Sequence, residues 1–460
     1  MKAVIIGGGL TGLATAYYLG QAKPDWQICV YEQSHRFGGK VQTKRIDGYT
    51  VEMGPDSYLA RKQDMTQFIT DLGLGDKIVA NATGQAYIYD QDRLYPIPGG
   101  SIVGIPTEFI PFAKSKLISW SGKLRAGLDY FKSPYPKQGD VSIGEFFKYH
   151  LGQEMMTKLI EPLLSGIYGG DIYSLSLDAV FPDFHRLEHK AGNLVKGMMQ
   201  AKQARPVSHR PAKGVFRQVD GGLASIVDAV VAKMPANVRL IKNCQVTQLE
   251  YQGDVYRLGL IEKEQVKEVE ADTLIITTPP RSYQSWFIKD KAFDAIRGMQ
   301  QSTCAIAIMS FDADSFDAPI EGTGFVITRT TKTPLTACTY ISKKWPKAAA
   351  PGKLVFRTFL GKPGDQTVQD HTPEELGQIA LRELRKILGF TVNPLWIEVT
   401  QLKNSMPQYE VGHCQRIAKV KDHIHSTYPG LYLIGTPYYG VGMPDGVKQA
   451  RELVAQLSKN

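Results

Sequence analysis

The sequence predicts a mixed α/β and α+β architecture. A parallel-sheet domain is assembled from pieces at the start, middle and end of the chain, with mixed-sheet and helical material inserted between them. Three observations predict it. The chain opens strand, glycine turn, helix, strand; a second alternating run begins near Val215; and residues 431–457 close with a strand, a turn and a helix. At 460 residues the chain also exceeds what one hydrophobic core organises.

Taken in order, Ala3-Val4-Ile5-Ile6 is an apolar run suited to a strand buried on both faces. Residues 13–19 continue as an apolar helix and 28–31 as the next strand. Residues 64–72 read as a helix ended by Gly73. Residues 95–112, rich in Pro, Gly and aromatics, read as an irregular lining segment. Helices are expected over 142–150 and 154–164, with a break at Gly166–Gly170, and a basic helix over 185–210. Residues 223–234 and 374–388 read as helices, 238–240, 245–251 and 268–278 as strands, and 304–358 as β-rich. The expected parts are 1–75, 215–280 and 411–460 for the parallel-sheet domain, 76–214 for substrate-binding and helical material, and 281–410 for a second sheet.

Composition bounds the function. Apolar residues make up 43% and charged residues 22%, as in an ordinary globular protein. The five cysteines include no Cys-x-x-Cys pair, which argues against a disulfide framework and a cysteine zinc site and fits a reducing compartment. No basic leader precedes the first strand, and the uncharged run 426–444 carries Pro429, Pro437 and Pro444, unlike a membrane helix. A net charge of +9 without a nucleic-acid motif favours a polyanionic small substrate, or no charged partner at all, over nucleic acid.

The chemistry sits in the first forty residues. In Gly7-x-Gly9-x-x-Gly12, Gly7 permits the sharp turn, Gly9 leaves room for a pyrophosphate and Gly12 lets helix and strand pack closely. The phosphates then meet the helix N-terminus, whose free N–H groups favour negative charge. Glu32 ends the next strand, where an acidic side chain accepts from ribose hydroxyls. Arg36-Phe37-Gly38-Gly39-Lys40 follows, a turn whose glycines admit a cofactor backbone and whose cations neutralise phosphate.

These motifs resemble the FAD-binding start of the flavin amine oxidase and protoporphyrinogen oxidase superfamily, which implies a Rossmann-type FAD domain of the p-hydroxybenzoate hydroxylase-like kind. Met53–Tyr58, Leu159–Asp171, Ser405–His413 and Gly440–Pro444 resemble further motifs of that family, so the resemblance runs nearly end to end. It is nearest to the soluble bacterial branch that oxidises coproporphyrinogen III to coproporphyrin III in haem biosynthesis. The resemblance implies non-covalent FAD. Gly7, Gly8, Gly9, Leu10, Thr11 and Gly12 would hold the pyrophosphate, Glu32 and Gln33 the adenosine ribose, and Gly39 and Lys40 the phosphates. Gly54, Pro55, Asp56 and Ser57 would pass beside the flavin, Val246 would contact adenine through its backbone, and Val441, Gly442 and Met443 would close over the pyrimidine end.

Relatives often carry Cys in a C-terminal Pro-x-Cys where this chain has Pro444-Asp445-Gly446. Expected substrate contacts are Lys62, Ile167 and Tyr168, with Arg61 and Arg93 as further cations near the acidic substrate. No catalytic side chain and no metal are expected, because a flavin accepts hydride from the meso carbon of an electron-rich porphyrinogen once the ring is placed against it. Oxygen would reoxidise the flavin and give hydrogen peroxide over three two-electron rounds. The implied setting is cytoplasmic, with peripheral membrane contact, a haem-pathway partner and oligomeric state left open. Protoporphyrinogen IX as main substrate, another superfamily oxidase or desaturase, and a non-catalytic tetrapyrrole carrier remain as alternatives.

Overall fold

The computed structural model describes residues 1–82, 84–99, 101–102, 104–203, 214–316 and 320–459. The chain divides into two units. The first comprises 1–81, 214–300 and 414–460, and the second 82–213 and 301–413.

In the first unit five parallel strands form one sheet. In spatial order they are Val238–Ile241, Gln27–Tyr31, Lys2–Ile6, Thr273–Ile276 and Leu431–Leu433. In chain order this is 3-2-1-4-5, the nucleotide-binding arrangement of a doubly wound sheet. Both faces of the first strand are covered: Ala3 and Ile5 join one core cluster and Val4 and Ile6 another. That two-sided burial explains the uninterrupted apolar run. Helix Leu10–Ala22 follows the glycine turn and packs with the closing helix Met443–Leu457, where Leu13, Ala14, Val447 and Ala450 are fully buried.

The middle section of this unit extends to Gln300, beyond the expected boundary at 280. The reason is packing: Tyr283, Trp286, Phe293 and Ile296 bury themselves in the core that also holds Val4 and Ile6. The expected strand over 268–278 is two strands, Gln265–Ala271 in an antiparallel three-stranded sheet and Thr273–Ile276 in the parallel one.

The second unit holds a seven-stranded mixed sheet. Its order is Trp396–Pro407, Gln301–Asp312, Lys353–Leu360, Leu335–Tyr340, Gly324–Ile327, Ala86–Asp90 and Arg93–Pro96. Helix Pro373–Leu388 covers it with Leu376, Ala380, Leu381 and Leu384. Its start is fixed by a capping box between Thr372 and Glu375, its end by left-handed Gly389. The helical part runs through Ile143–Leu151, capped by Ser142, and Glu161–Tyr168. The helix passes through Gly166, and the break falls at Gly169, whose φ is +58°. The single basic helix expected over 185–210 is two, Pro182–Ala191 and Leu194–Gln203, separated by left-handed Gly192 at φ +85°. Residues 204–210 of that expectation lie outside the described residues.

No helix among the described residues is long and apolar enough to cross a membrane. All five cysteines are free.

Candidate functional site: a phosphate cradle on the parallel sheet

Three glycines of the first turn do different work. Gly7 sits at φ +105°, and a Cβ there would lie 2.7 Å from Thr277 Oγ1. A Cβ on Gly12 would stand 2.0 Å from the Gly7 carbonyl oxygen. Both are therefore demanded by the fold. Gly9 is not. Its φ is −70°, ordinary for any residue, and the nearest atom to an added Cβ is Gly39 Cα at 4.0 Å. The protein leaves open space there. Gly9 is also the N-cap of helix Leu10–Ala22, and no side chain caps the first-turn amides. A cradle with room for a ligand at an uncapped helix N-terminus fits a bound pyrophosphate.

The second glycine turn closes on the first. The Gly38 amide donates to the Gly8 carbonyl at 2.8 Å, and Gly39 is left-handed at φ +58°. Arg36 does not face this cradle as a free cation. Its guanidinium donates to the carbonyls of Gly39 at 2.7 Å and Val41 at 3.2 Å, holding the turn from behind. Lys40 is exposed, and its carbonyl oxygen lies where a Gly54 Cβ would be, at 1.8 Å. That contact explains Gly54 and brings Gly54–Ser57 beside the second turn; Ser57 Oγ donates to Asp56 Oδ1 at 2.8 Å.

Glu32 ends its strand with a fixed carboxylate. Oε2 accepts from the Gly8 amide at 2.7 Å, and Oε1 from the Ser34 amide and hydroxyl, each at 2.8 Å. A carboxylate offers about four acceptor sites, so one remains for a ribose hydroxyl. Gln33 beside it is exposed. Val246 points its side chain into the core, and the strand pairing shifts register between Val246 and Gln248, so a ligand contact from this position falls to the backbone.

Val441, Gly442 and Met443 form the start of the closing helix, with Gly442 as N-cap. Asp445 organises this start: its Oδ2 accepts from the Gly442 amide at 3.2 Å. The same carboxylate binds Lys62 Nζ at 2.5 and 2.6 Å. Lys62, expected as a substrate anchor, is thus engaged within the first unit by the helix cap. Gly446 packs closely on the first helix, since a Cβ there would lie 2.2 Å from Thr11 Oγ1.

In the second unit Tyr168 ends helix Glu161–Tyr168, half-buried, and its carbonyl accepts from Gln408 Nε2 at 3.0 Å. The side chain of Ile167 lies outside the described residues. Two cations that the sequence reading missed stand by this motif. Arg329 pairs with Glu161 at 2.9 Å and Asp171 at 3.2 Å, and Lys362 donates to the Thr331 carbonyl at 2.8 Å. Burial lowers the pKa of Lys362. Arg93 is exposed on its strand, as is Arg61 after its own.

The parallel sheet, the room left at Gly9 and the acidic strand end define a protein of the dinucleotide-binding class. The chain belongs to the family described as flavin containing amine oxidoreductase, which it matches over residues 10–457. FAD is the cofactor of this family. The chain is 44% identical to the coproporphyrinogen III oxidase of Staphylococcus aureus (strain NCTC 8325 / PS 47), with 99% of each chain covered. It is 38% identical to that of Bacillus subtilis (strain 168), covering 98% of this chain and 97% of the relative. A crystal structure from Exiguobacterium sp. 255-15 is 36% identical and superposes with a TM-score of 0.88, covering 100% of this chain and 98% of that one.

Proposed function

We propose that the protein oxidises coproporphyrinogen III to coproporphyrin III, using oxygen as terminal acceptor and releasing hydrogen peroxide. The observation that carries the flavin half of this reading is Gly9, a glycine the fold does not need and a pyrophosphate does. The substrate half is supported by the coproporphyrinogen III oxidase name of two relatives aligned end to end at 44% and 38% identity.

FAD, when bound, supplies the two-electron acceptor, so the protein's task is placement. Gly7–Gly12, Glu32, Gln33, Gly39 and Lys40 would hold the ADP half, Val246 the adenine, Gly54–Ser57 and Val441–Met443 the flavin half. Tyr168 and Ile167, with Arg329 and Lys362 as nearby cations, would face the porphyrinogen and its carboxylates. The test is to incubate holoprotein with coproporphyrinogen III, protoporphyrinogen IX and a set of amines, following porphyrin fluorescence and peroxide. Faster turnover of coproporphyrinogen III, with peroxide formed, is expected; porphyrin no faster than the no-enzyme control would overturn the reading.

The reading includes peripheral contact with an anionic lipid surface. Trp120, Leu124, Leu128 and Phe131 are 70%, 71%, 55% and 84% exposed, and at 100° per residue they share one face of a continuous helical stretch. Gly122, Ala126 and Asp129 on the opposite face are buried. Lys114, Lys116 and Lys123 line a groove of about 580 Å³ beside Trp120, and Lys196 lies over the Tyr130 ring at 4.3 Å. An apolar stripe with a basic rim suits anionic headgroups. A second copy of the chain on the same patch would oppose these lysines with themselves.

A further inference from the structure

Helix Pro182–Ala191 carries His185-x-x-Glu188-His189. Spacings of three and four place the three side chains on one face. One ligand atom from each, two imidazole nitrogens and a carboxylate oxygen, fall within 4.8 Å of one another.

The packing around them separates an ion-pair network from a cation site. Next door, His150 is fully buried and held by both ring nitrogens, Nδ1 2.5 Å from Asp129 Oδ1 and Nε2 2.8 Å from Glu188 Oε1. The Tyr135 amide donates to the same Glu188 oxygen at 2.6 Å. Glu188 is thus held through Oε1, by the Tyr135 amide and the close approach of His150. Its other oxygen is different. Glu188 Oε2 is buried with no hydrogen bond, and His185 Nδ1 stands 3.8 Å away. His185 Nε2 is likewise buried without a hydrogen bond, 3.7 Å from Asp178 Oδ1. These gaps are too long for hydrogen bonds. Bonds from zinc to nitrogen or oxygen run about 2.0–2.2 Å, so two ligands of one ion stand roughly 3–4 Å apart.

We propose that His185 Nδ1, Glu188 Oε2 and His189 form a binding site for a divalent transition-metal cation of the zinc type. Asp178 Oδ1, 3.7 Å from His185 Nε2, would accept from Nε2–H and fix the tautomer once the metal draws the ring into place; Asp129 and His150 stand behind the Glu188 carboxylate. This is the outer arrangement of carboxylates and histidines that metal sites use to orient their ligands. Nitrogen and carboxylate donors select zinc-like ions over magnesium or calcium. The fourth position falls to water. The carboxylates Asp129, Asp178 and Glu188 gather negative charge around the three side chains.

The test uses full-length holoprotein freed of metal by a chelator, titrated with zinc by calorimetry and with cobalt(II) by its visible spectrum beyond the flavin bands. One zinc per chain is expected, with weaker binding in mild acid as the imidazoles protonate. His189 is exposed, so His189→Ala keeps the fold and should lose at least about tenfold in affinity; Asp178→Asn should lose about tenfold. His185→Ala should abolish the cobalt spectrum. No saturable zinc binding by the wild-type chain overturns the proposal. So does His189→Ala binding zinc as tightly as wild type.

Discussion

Lys62 offers the sharpest choice between two roles for one cation. Its ammonium lies 2.5 and 2.6 Å from the two oxygens of Asp445, whose Oδ2 also accepts from the Gly442 amide. The side chains are 36% and 21% exposed, between a solvated pair and a buried one. Lys62→Met removes the cation from a half-buried carboxylate and costs about 1–2 kcal/mol. If that cost is felt at the Val441–Met443 segment, FAD dissociation rises about 5–30-fold. A double-mutant cycle with Asp445→Asn should recover a coupling of about 1 kcal/mol, because the two groups share one contact. The assay is FAD release followed by flavin fluorescence, alongside steady-state kinetics with saturating FAD. KM for the porphyrinogen should stay within about twofold of wild type, a change worth less than 0.5 kcal/mol. A raised KM with unchanged FAD affinity would refute the reasoning and restore Lys62 as a carboxylate anchor.

Other consequences follow from the packing and the charges. Gly446→Cys should lower the unfolding midpoint, costing about 1–3 kcal/mol from overpacking against Thr11 Oγ1, and Thr11→Ala should recover part of it. Burial disfavours charge on His150, but its hydrogen bond to Asp129 and its close contact with the Glu188 carboxylate outweigh this and raise its pKa. That raised pKa gives stability present in full below the ordinary histidine value of 6.5 and lost as pH rises through the folded value. Glu188 is buried, yet the imidazoles of His150 and His185 and the Tyr135 amide bring its pKa down to about 2, so its contribution is present above the ordinary value of 4.5 and fades as pH falls toward 2. Thermal melts across pH should show both flanks, and His150→Gln should flatten the alkaline one. Trp120→Ser with Phe131→Ser should reduce flotation with anionic vesicles while leaving turnover of soluble substrate unchanged. Equal flotation of this double variant would remove the stripe from the account, and wild-type flotation on neutral vesicles alone would remove the lysines.

The parallel-sheet start was legible because its information is local. The spacing of Gly7, Gly9 and Gly12 with Glu32 encodes turn, gap and strand end within about thirty residues, and the structure places them together. What stayed hidden is non-local or one-sided. Lys62 and Asp445 lie 383 positions apart, and nothing in either neighbourhood announces the pair. The same holds for Arg329 and Glu161, 168 apart. Arg36 looked like a phosphate cation because its charge is visible in sequence, whereas the carbonyls that occupy it are not. Gly166 was read as a helix break, but a helix tolerates a glycine for about 1 kcal/mol when the rest of its face is buried, as Leu164 is. The histidine pair flanking Glu188 is legible in sequence by its spacing on one helix, whereas the buried His150 and Asp129 beside it are not.

The central claim is that the open space at Gly9 belongs to the FAD pyrophosphate. Gly9→Val tests it directly, because the backbone angle there is open to any residue and a Cβ meets nothing nearer than Gly39 Cα at 4.0 Å. Flavin absorbance per chain, measured beside circular dichroism and the unfolding midpoint, should show wild type holding about one FAD and Gly9→Val folded but carrying less than about a tenth of that, a loss of at least 1.4 kcal/mol in affinity. A folded Gly9→Val protein with its full complement of FAD would contradict the account.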